Sequence, residues 1–301
     1  MPGGRRSSHG CARPRRAGKP VVGDTRISRR RFLLGLGALG PVAVTAFYTV
    51  MVERYLIVVR RYRVPVPRLP PAFDGYTLVH LTDLHHGALV PLAVIRYVVN
   101  QANALPKDAI VCTGDYVHER GATGQIDAVW PVLEELAAPD GVYSILGNHD
   151  HWADTARSLY WLERTGQNLR HCAAPIERDG QRLWLAGAGD LWEDHLSLDA
   201  LLAEVPPDEC RVVLAHNPDT ADSAYTTTVD LLLCGHTHGG QVRLPGGHAP
   251  VLPVANKAYT SGLVHSPRGT PVFISRGIGW AIYPMRFNCL PEIAVLELVP
   301  A

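Results

Sequence analysis

The sequence predicts an α/β protein: a four-layer α/β/β/α sandwich in which two mixed sheets face one another and helices lie outside each. Three observations carry this. Short apolar runs that end abruptly in polar clusters alternate with helical patterns from Tyr76 to Cys234. Beyond Gln241 the helical patterns stop and strands follow one another, which supplies the second sheet. The chain has 301 residues, 47% apolar and 19% charged, a globular composition long enough to bury a sizeable core.

The N-terminal end reads as an address. Residues 1–31 hold ten basic side chains and one acid, Asp24, with no helical or strand period, so this stretch is expected to be a disordered basic tail. The remainder carries 19 basic against 27 acidic residues. A nucleic-acid binder would place its basic surface on the folded part, so nucleic acid is not expected as a main partner. Arg29-Arg30 before Phe32-Leu33 is similar to a twin-arginine export signal. Phe32 to Val52 is then free of charge, long enough to span a bilayer core, with its basic flank on the N-terminal side. We expect residues 32–52 to be a transmembrane or signal-anchor helix, uncleaved, with the domain on the periplasmic side. Attachment flat on the cytoplasmic face is the alternative. Residues 53–301 are expected to form one domain.

Within that domain, Tyr55–Val59 and Arg61–Val64 read as strand, ended by Pro65, Pro67, Pro70 and Pro71. The run Leu78–Thr82 ends at Asp83. Val94, Ile95, Val98, Val99 and Ala102 mark a helix. Ala109–Cys112 ends at Gly114-Asp115, and Ile126 to Ala137 marks a second helix. Val142–Leu146 ends at Gly147-Asn148-His149-Asp150, with a third helix near Asp154–Arg164. Leu183–Ala186 is a strand and Leu198–Ala203 a short helix. Arg211–Ala215 ends at His216, and Leu231–Cys234 ends at Gly235-His236. Gln241–Leu244, Pro271–Ser275 and Ile293–Leu298 complete the strands.

Five strand ends therefore carry side chains able to hold a metal: Asp83, His85, Asp115, Asn148, His149, His216, His236 and His238. Ligands of open α/β sheets gather beyond the carboxyl ends of the strands. The intervals Asp83 to Asp115 and Asp115 to Asn148 are each about one βαβ unit, so these ends should be neighbours. Partners two apart, as in Asp83-Leu84-His85 and His236-Thr237-His238, point the same way in extended backbone, so each pair can converge on one site. The set mixes hard and borderline donors, which suits Mn, Fe or Zn. It is too large for one open tetrahedral zinc, which takes three protein ligands, and fits two divalent ions sharing a carboxylate. Six cysteines without a CxxC pair argue against a zinc ribbon or a redox dithiol.

Asp83-Leu84-His85, Gly114-Asp115, Gly147-Asn148-His149-Asp150, Ala215-His216 and Gly235-His236-Thr237-His238 resemble, in order, the five motifs of the calcineurin-like metallophosphoesterases. Ser275-Arg276-Gly277, Arg286-Phe287-Asn288 and Pro291-Glu292-Ile293 look like one bacterial branch. That branch includes membrane-associated and twin-arginine-exported phosphodiesterases, some acting on UDP-2,3-diacylglucosamine. The resemblance implies that Asp83, His85 and His238 hold one metal, and Asn148, His216 and His236 the other, with Asp115 bridging. His149 would donate a proton to the leaving group and Asp150 would orient it. Arg286, Asp190 and Trp192 are candidate substrate contacts. His80 reads as a sheet residue and His86 as a rim residue. His118, His151, His171, His195, His248 and His265 have no partner spacing and read as surface or loop.

The expected activity is a binuclear-metal phosphohydrolase cleaving a phosphodiester or pyrophosphate, with a lipid-linked substrate such as UDP-2,3-diacylglucosamine favoured by the anchor. A broad-range periplasmic phosphodiesterase or phosphomonoesterase is the alternative, and a non-catalytic scaffold of the same fold is a third. The partners expected are thus a phosphate ester and the membrane.

Overall fold

The computed structural model describes residues 40–281 and 283–301. The expected basic tail and the first part of the expected membrane segment, residues 32–39, lie outside the described residues. Residues 40–47 are α-helical, and Tyr48–Val52 continue as a π-helix and Glu53–Tyr55 as a 3-10 turn. Among the described residues no helix is long and apolar enough to cross a membrane. The chain divides into two compact units, and the one from Thr45 to Ala301 holds all the strands given below.

The first sheet has the order β1-β11-β2-β3-β4, where β1 is Val58–Val66, β2 Thr77–Leu81, β3 Ala109–Cys112, β4 Val142–Ser144 and β11 Glu292–Pro300. β2, β3 and β4 run parallel, β11 is antiparallel to β2, and β1 lies parallel to β11 at the edge. That edge position is why Pro65 is tolerated inside β1 rather than ending it. The second sheet has the order β5-β6-β7-β8-β10-β9: β5 Ala173–Arg178, β6 Gln181–Gly187, β7 Cys210–Leu214, β8 Leu231–Cys234, β9 Gly262–His265 and β10 Pro271–Ile274. Its four inner strands are parallel and both edges antiparallel.

Burial follows from strand alternation. Leu78, Val111, Leu296, Leu185, Val212, Leu233 and Phe273 come from both sheets and form one shared core. The opposite face of the first sheet, with Val79, Ile110 and Val295, is covered by α1 (Leu92–Ala104), α2 (Thr123–Leu133) and α3 (Asn148–Arg164). The opposite face of the second sheet, with Val213, Leu232 and Ile274, is covered by α4 (Leu198–Leu201), the 3-10 helix Pro218–Asp222 and loops. The fourth layer is therefore thin.

Three element expectations are corrected. Gln241–Leu244 is not a strand; the chain turns at Gly239 and Gly240, Gln241 is left-handed, and only a single bridge joins Val242 to Phe287. α3 begins at Asn148, before the expected Asp154, where the backbone leaves helical angles; the Asp154 carboxylate caps the second segment through the Arg157 N–H. The edge strands β5 and β9 were not expected. β5 contains Pro175 and two alanines, a composition that does not announce a strand but suits an edge.

Candidate metal centre

The ends of β2, β3, β7 and β8 bring six of the expected side chains into two groups. Asp83, His85 and His238 form one, and Asp115, His216 and His236 the other; within each group the donor atoms lie within 4.8 Å of one another. All six residues are buried. Asp115 joins the groups: its Oδ2 is 3.1 Å from His216 Nε2 and 3.5 Å from His85 Nε2. Its Oδ1 accepts the His149 backbone N–H at 2.8 Å. Asn148, at the start of α3, is buried, and its Oδ1 has no hydrogen-bond partner.

The pair spacing behaves differently at its two occurrences. Asp83 and His85 do converge on one group. His236 and His238 do not: they separate into different groups. Neither pair is in extended backbone. Asp83, His85, Asp115, His236 and His238 all have φ between 50° and 65°. Left-handed backbone costs a non-glycine residue about 1–3 kcal/mol and persists only where surrounding structure imposes it, so five such residues at one place mark a functional site. Close packing imposes it here. A Cβ on Gly235 would lie 2.3 Å from Asp83 Oδ2, and one on Gly147 would lie 2.3 Å from Asp115 Oδ1.

The donor chemistry fits metal ions. His216 Nδ1 donates to the Thr113 carbonyl at 2.7 Å, and His236 Nε2 donates to the Pro253 carbonyl at 3.0 Å. In their neutral forms both rings are thus left with a lone pair on the other nitrogen, and these two atoms face each other at 3.1 Å. A proton or a metal cation between them satisfies both lone pairs. His85 and His238 likewise oppose their Nε2 atoms at 3.0 Å. Burial holds His85 and His238 well below the usual histidine range and His236 at about 3, which keeps these rings neutral and able to coordinate. Against burial, Asp115 and Asp83 raise His216 to about 10. Against the same burial, His216 and His149 hold Asp115 well below the carboxylate range.

Other expected residues have different duties from those predicted. Asp150 does not touch the His149 ring. Its carboxylate accepts the backbone N–H groups of Asp115, Tyr116 and Gly147 at 2.8, 2.9 and 2.9 Å, so it locks the Asp115 loop to the start of α3. The His149 ring is held by Nδ1 donating to the His118 carbonyl at 2.7 Å. Arg286 is fully buried and donates to the carbonyls of Arg276, Gly277, Gly279 and Cys289. Every arm of its guanidinium points into the scaffold, which removes it as a phosphate contact. Gly277 in turn packs on the Asp83 side chain, so the branch-like C-terminal motifs support Asp83 from behind. Asp190 is buried; its Oδ1 caps the Trp192 and Glu193 N–H groups and its Oδ2 has no partner. Trp192 is half exposed and meets the His236 ring edge-on at 4.6 Å.

Sequence reasoning missed His118. Its Nδ1 lies 3.3 Å from His85 Nδ1 and its ring stacks on His149 at 5.3 Å. It lies three residues past Asp115 on the same strand-end loop, and that proximity was the available signal. Trp152, tilted against His149 at 4.7 Å, was missed too.

A family model described as calcineurin-like phosphoesterase matches residues 76–240. The chain is 32% identical over 286 residues to the uncharacterized metallophosphoesterase YkuE of Bacillus subtilis, covering 91% of this chain and 98% of that protein. It is 32% identical over 282 residues to phosphodiesterase YaeI of Escherichia coli, covering 91% and 100%. A transmembrane protein with metallophosphoesterase domain from Bos taurus is 30% identical over 255 residues, 79% of this chain and 56% of that one. Among solved structures, a dimetal phosphatase from Danio rerio superposes with a TM-score of 0.42 at 14% identity, covering 68% of this chain and 88% of the other.

Proposed function

The chain belongs to the calcineurin-like phosphoesterase family and is a phosphoester hydrolase, and from that premise we propose that it cleaves phosphodiester or pyrophosphate bonds at a two-metal centre. The observation that carries this reading is the position of Asp115 Oδ2 between the two donor groups. Asp83, His85 and His238 would hold one ion, Asn148, His216 and His236 the other, and Asp115 would be shared. When bound, two divalent ions such as Mn, Fe or Zn supply positive charge that stabilises a phosphoryl transition state and favours ionisation of the attacking water.

The protein's own groups complete the chemistry. Because His149 Nδ1 is committed to the His118 carbonyl, its Nε2 is the atom that hands a proton to the leaving alkoxide. Asp150 keeps the Asp115 loop and the Gly147 turn in register, and Asp115 anchors the His149 backbone, so the proton donor and the shared ligand move as one body.

A phosphodiester fits the activity named for the E. coli phosphodiesterase YaeI. A lipid-linked ester, of which UDP-2,3-diacylglucosamine is an example, fits the uncharged run Phe32–Val52, with Phe47, Tyr48 and Met51 exposed within it and Tyr55 and Leu56 exposed just beyond it. On this reading Arg29 and Arg30 direct export, and the anchored domain faces the periplasm. The test is hydrolysis of bis(p-nitrophenyl) phosphate by the full chain loaded with Mn, Fe or Zn. Activity lost in chelator and restored by metal is expected. Bound metal without hydrolysis under any of the three would overturn the reading.

A further inference from the structure

Two indoles stand over the candidate metal centre in positions that the catalytic chemistry does not require. Trp192 meets the His236 ring edge-on at 4.6 Å, and Trp152 meets the His149 ring at 4.7 Å. The two indoles are nearly parallel, 20° apart, with centroids 6.5 Å from each other. Trp152 is held through its side chain and Trp192 through its backbone. Trp152 Nε1 donates to Glu193 Oε1 at 2.6 Å, and the Arg120 guanidinium lies 3.9 Å from its ring centroid. The Trp192 backbone is capped by Asp190. Yet Trp192 remains 50% exposed. A fixed, half-exposed indole beside the reacting groups presents a π face with no hydrogen-bond demand of its own, and such faces take planar rings.

We propose that Trp152, beside His149, and Trp192, beside His236, form a subsite for a planar aromatic ring carried by the phosphate ester, placed on the leaving group by the contact of Trp152 with His149. The inference rests on the reading that this centre binds phosphate esters. Two sources share the chemistry: the base of a nucleotide and a simple aryl ester.

The experiment measures binding to the metal-loaded full chain by calorimetry, with inorganic phosphate as the reference. Benzylphosphonate and cyclohexylmethylphosphonate have the same reach and differ in whether the ring is planar. The benzyl compound should bind about 2- to 10-fold more tightly, the increment that aromatic contact adds beyond buried area. Trp192→Leu keeps an apolar surface and should bring that ratio to about 1, while Trp192→Phe retains it. Equal binding of the two phosphonates by the unaltered protein, or a ratio that survives Trp192→Leu, overturns the subsite. Failure of inorganic phosphate itself to bind overturns the phosphate-centre reading beneath it, and the two failures are thereby told apart. Uridine 5′-monophosphate against ribose 5-phosphate separates the sources. A base preference abolished by Trp192→Leu identifies a nucleotide; no base preference alongside a benzyl preference identifies an aryl ester.

Discussion

The hydrogen bond from the His149 backbone to Asp115 separates what the His149 ring does from what its main chain does. His149→Ala keeps that N–H and so keeps Asp115 in place. It should retain both metals and lose activity by about 10²–10⁴-fold, the range for a lost proton donor. The loss should be smaller on a p-nitrophenyl ester, whose leaving group needs little protonation. Elemental analysis with paired rates on two leaving groups decides it: an emptied metal site, or equal losses on both, would remove the role given to His149. Residue types announced the donors; which donor joins which group was implied only by the resemblance of the five motifs, not by composition or spacing. His236 and His238 separate while Asp83 and His85 converge, although all four are left-handed, so the packing around each turn decides the assignment and residue spacing does not.

At the scale of elements, the strand-end turns position the centre, and glycines allow them. Gly147 closes the turn between β4 and α3, where a Cβ would lie 2.3 Å from Asp115 Oδ1. Gly147→Ala should displace the shared carboxylate, lower metal occupancy and destabilise the fold by about 1–3 kcal/mol, the usual cost of overpacking. Gly124→Ala, in α2, meets nothing within 4 Å and should leave metal content unchanged. Metal analysis and denaturant midpoints of the pair test this, and equal metal content in both variants would refute it. Inner strands were legible because they are continuous apolar runs with polar ends. The edges β5 and β9 were not, because an edge strand need not be apolar on either face. The start of α3 was hidden because Asn148-His149-Asp150 reads as a loop and becomes helical through the contacts of Asp150 with the Asp115 loop.

The whole molecule depends on the seam between its sheets, and a buried histidine lies in it. His80 on β2 is fully buried, hydrogen-bonds Thr113 Oγ1 at 2.8 Å and packs against Phe273 of the second sheet. Burial lowers it to about 3. The unfolded chain therefore takes up this proton first, near the ordinary histidine value of about 6.5. Stability from this group is complete above that pH and is lost as pH falls toward 3. Denaturant midpoints of the metal-loaded protein should fall between pH 6.5 and 4, and His80→Gln should fall less steeply, by one proton's contribution. Parallel slopes for the two proteins would show that His80 does not titrate on unfolding.

The sequence by itself determined the α/β class, the inner strands and the set of metal-capable side chains at the strand ends. Apolar runs and strand-end polar clusters are local patterns, and the five ordered motifs are a resemblance readable from residue identities. Tertiary structure alone decided the rest. β11 enters the first sheet between β1 and β2 although it is last in the chain. Arg286 looked free to meet phosphate until its carbonyl partners, supplied by residues 276–289, were in place around it. His118 joined the centre only when the β3 loop folded against His85 and α3. The physical reason is the same in each case. A side chain's partners are chosen by packing between segments distant in sequence, and periodicity carries information only about neighbours along the chain.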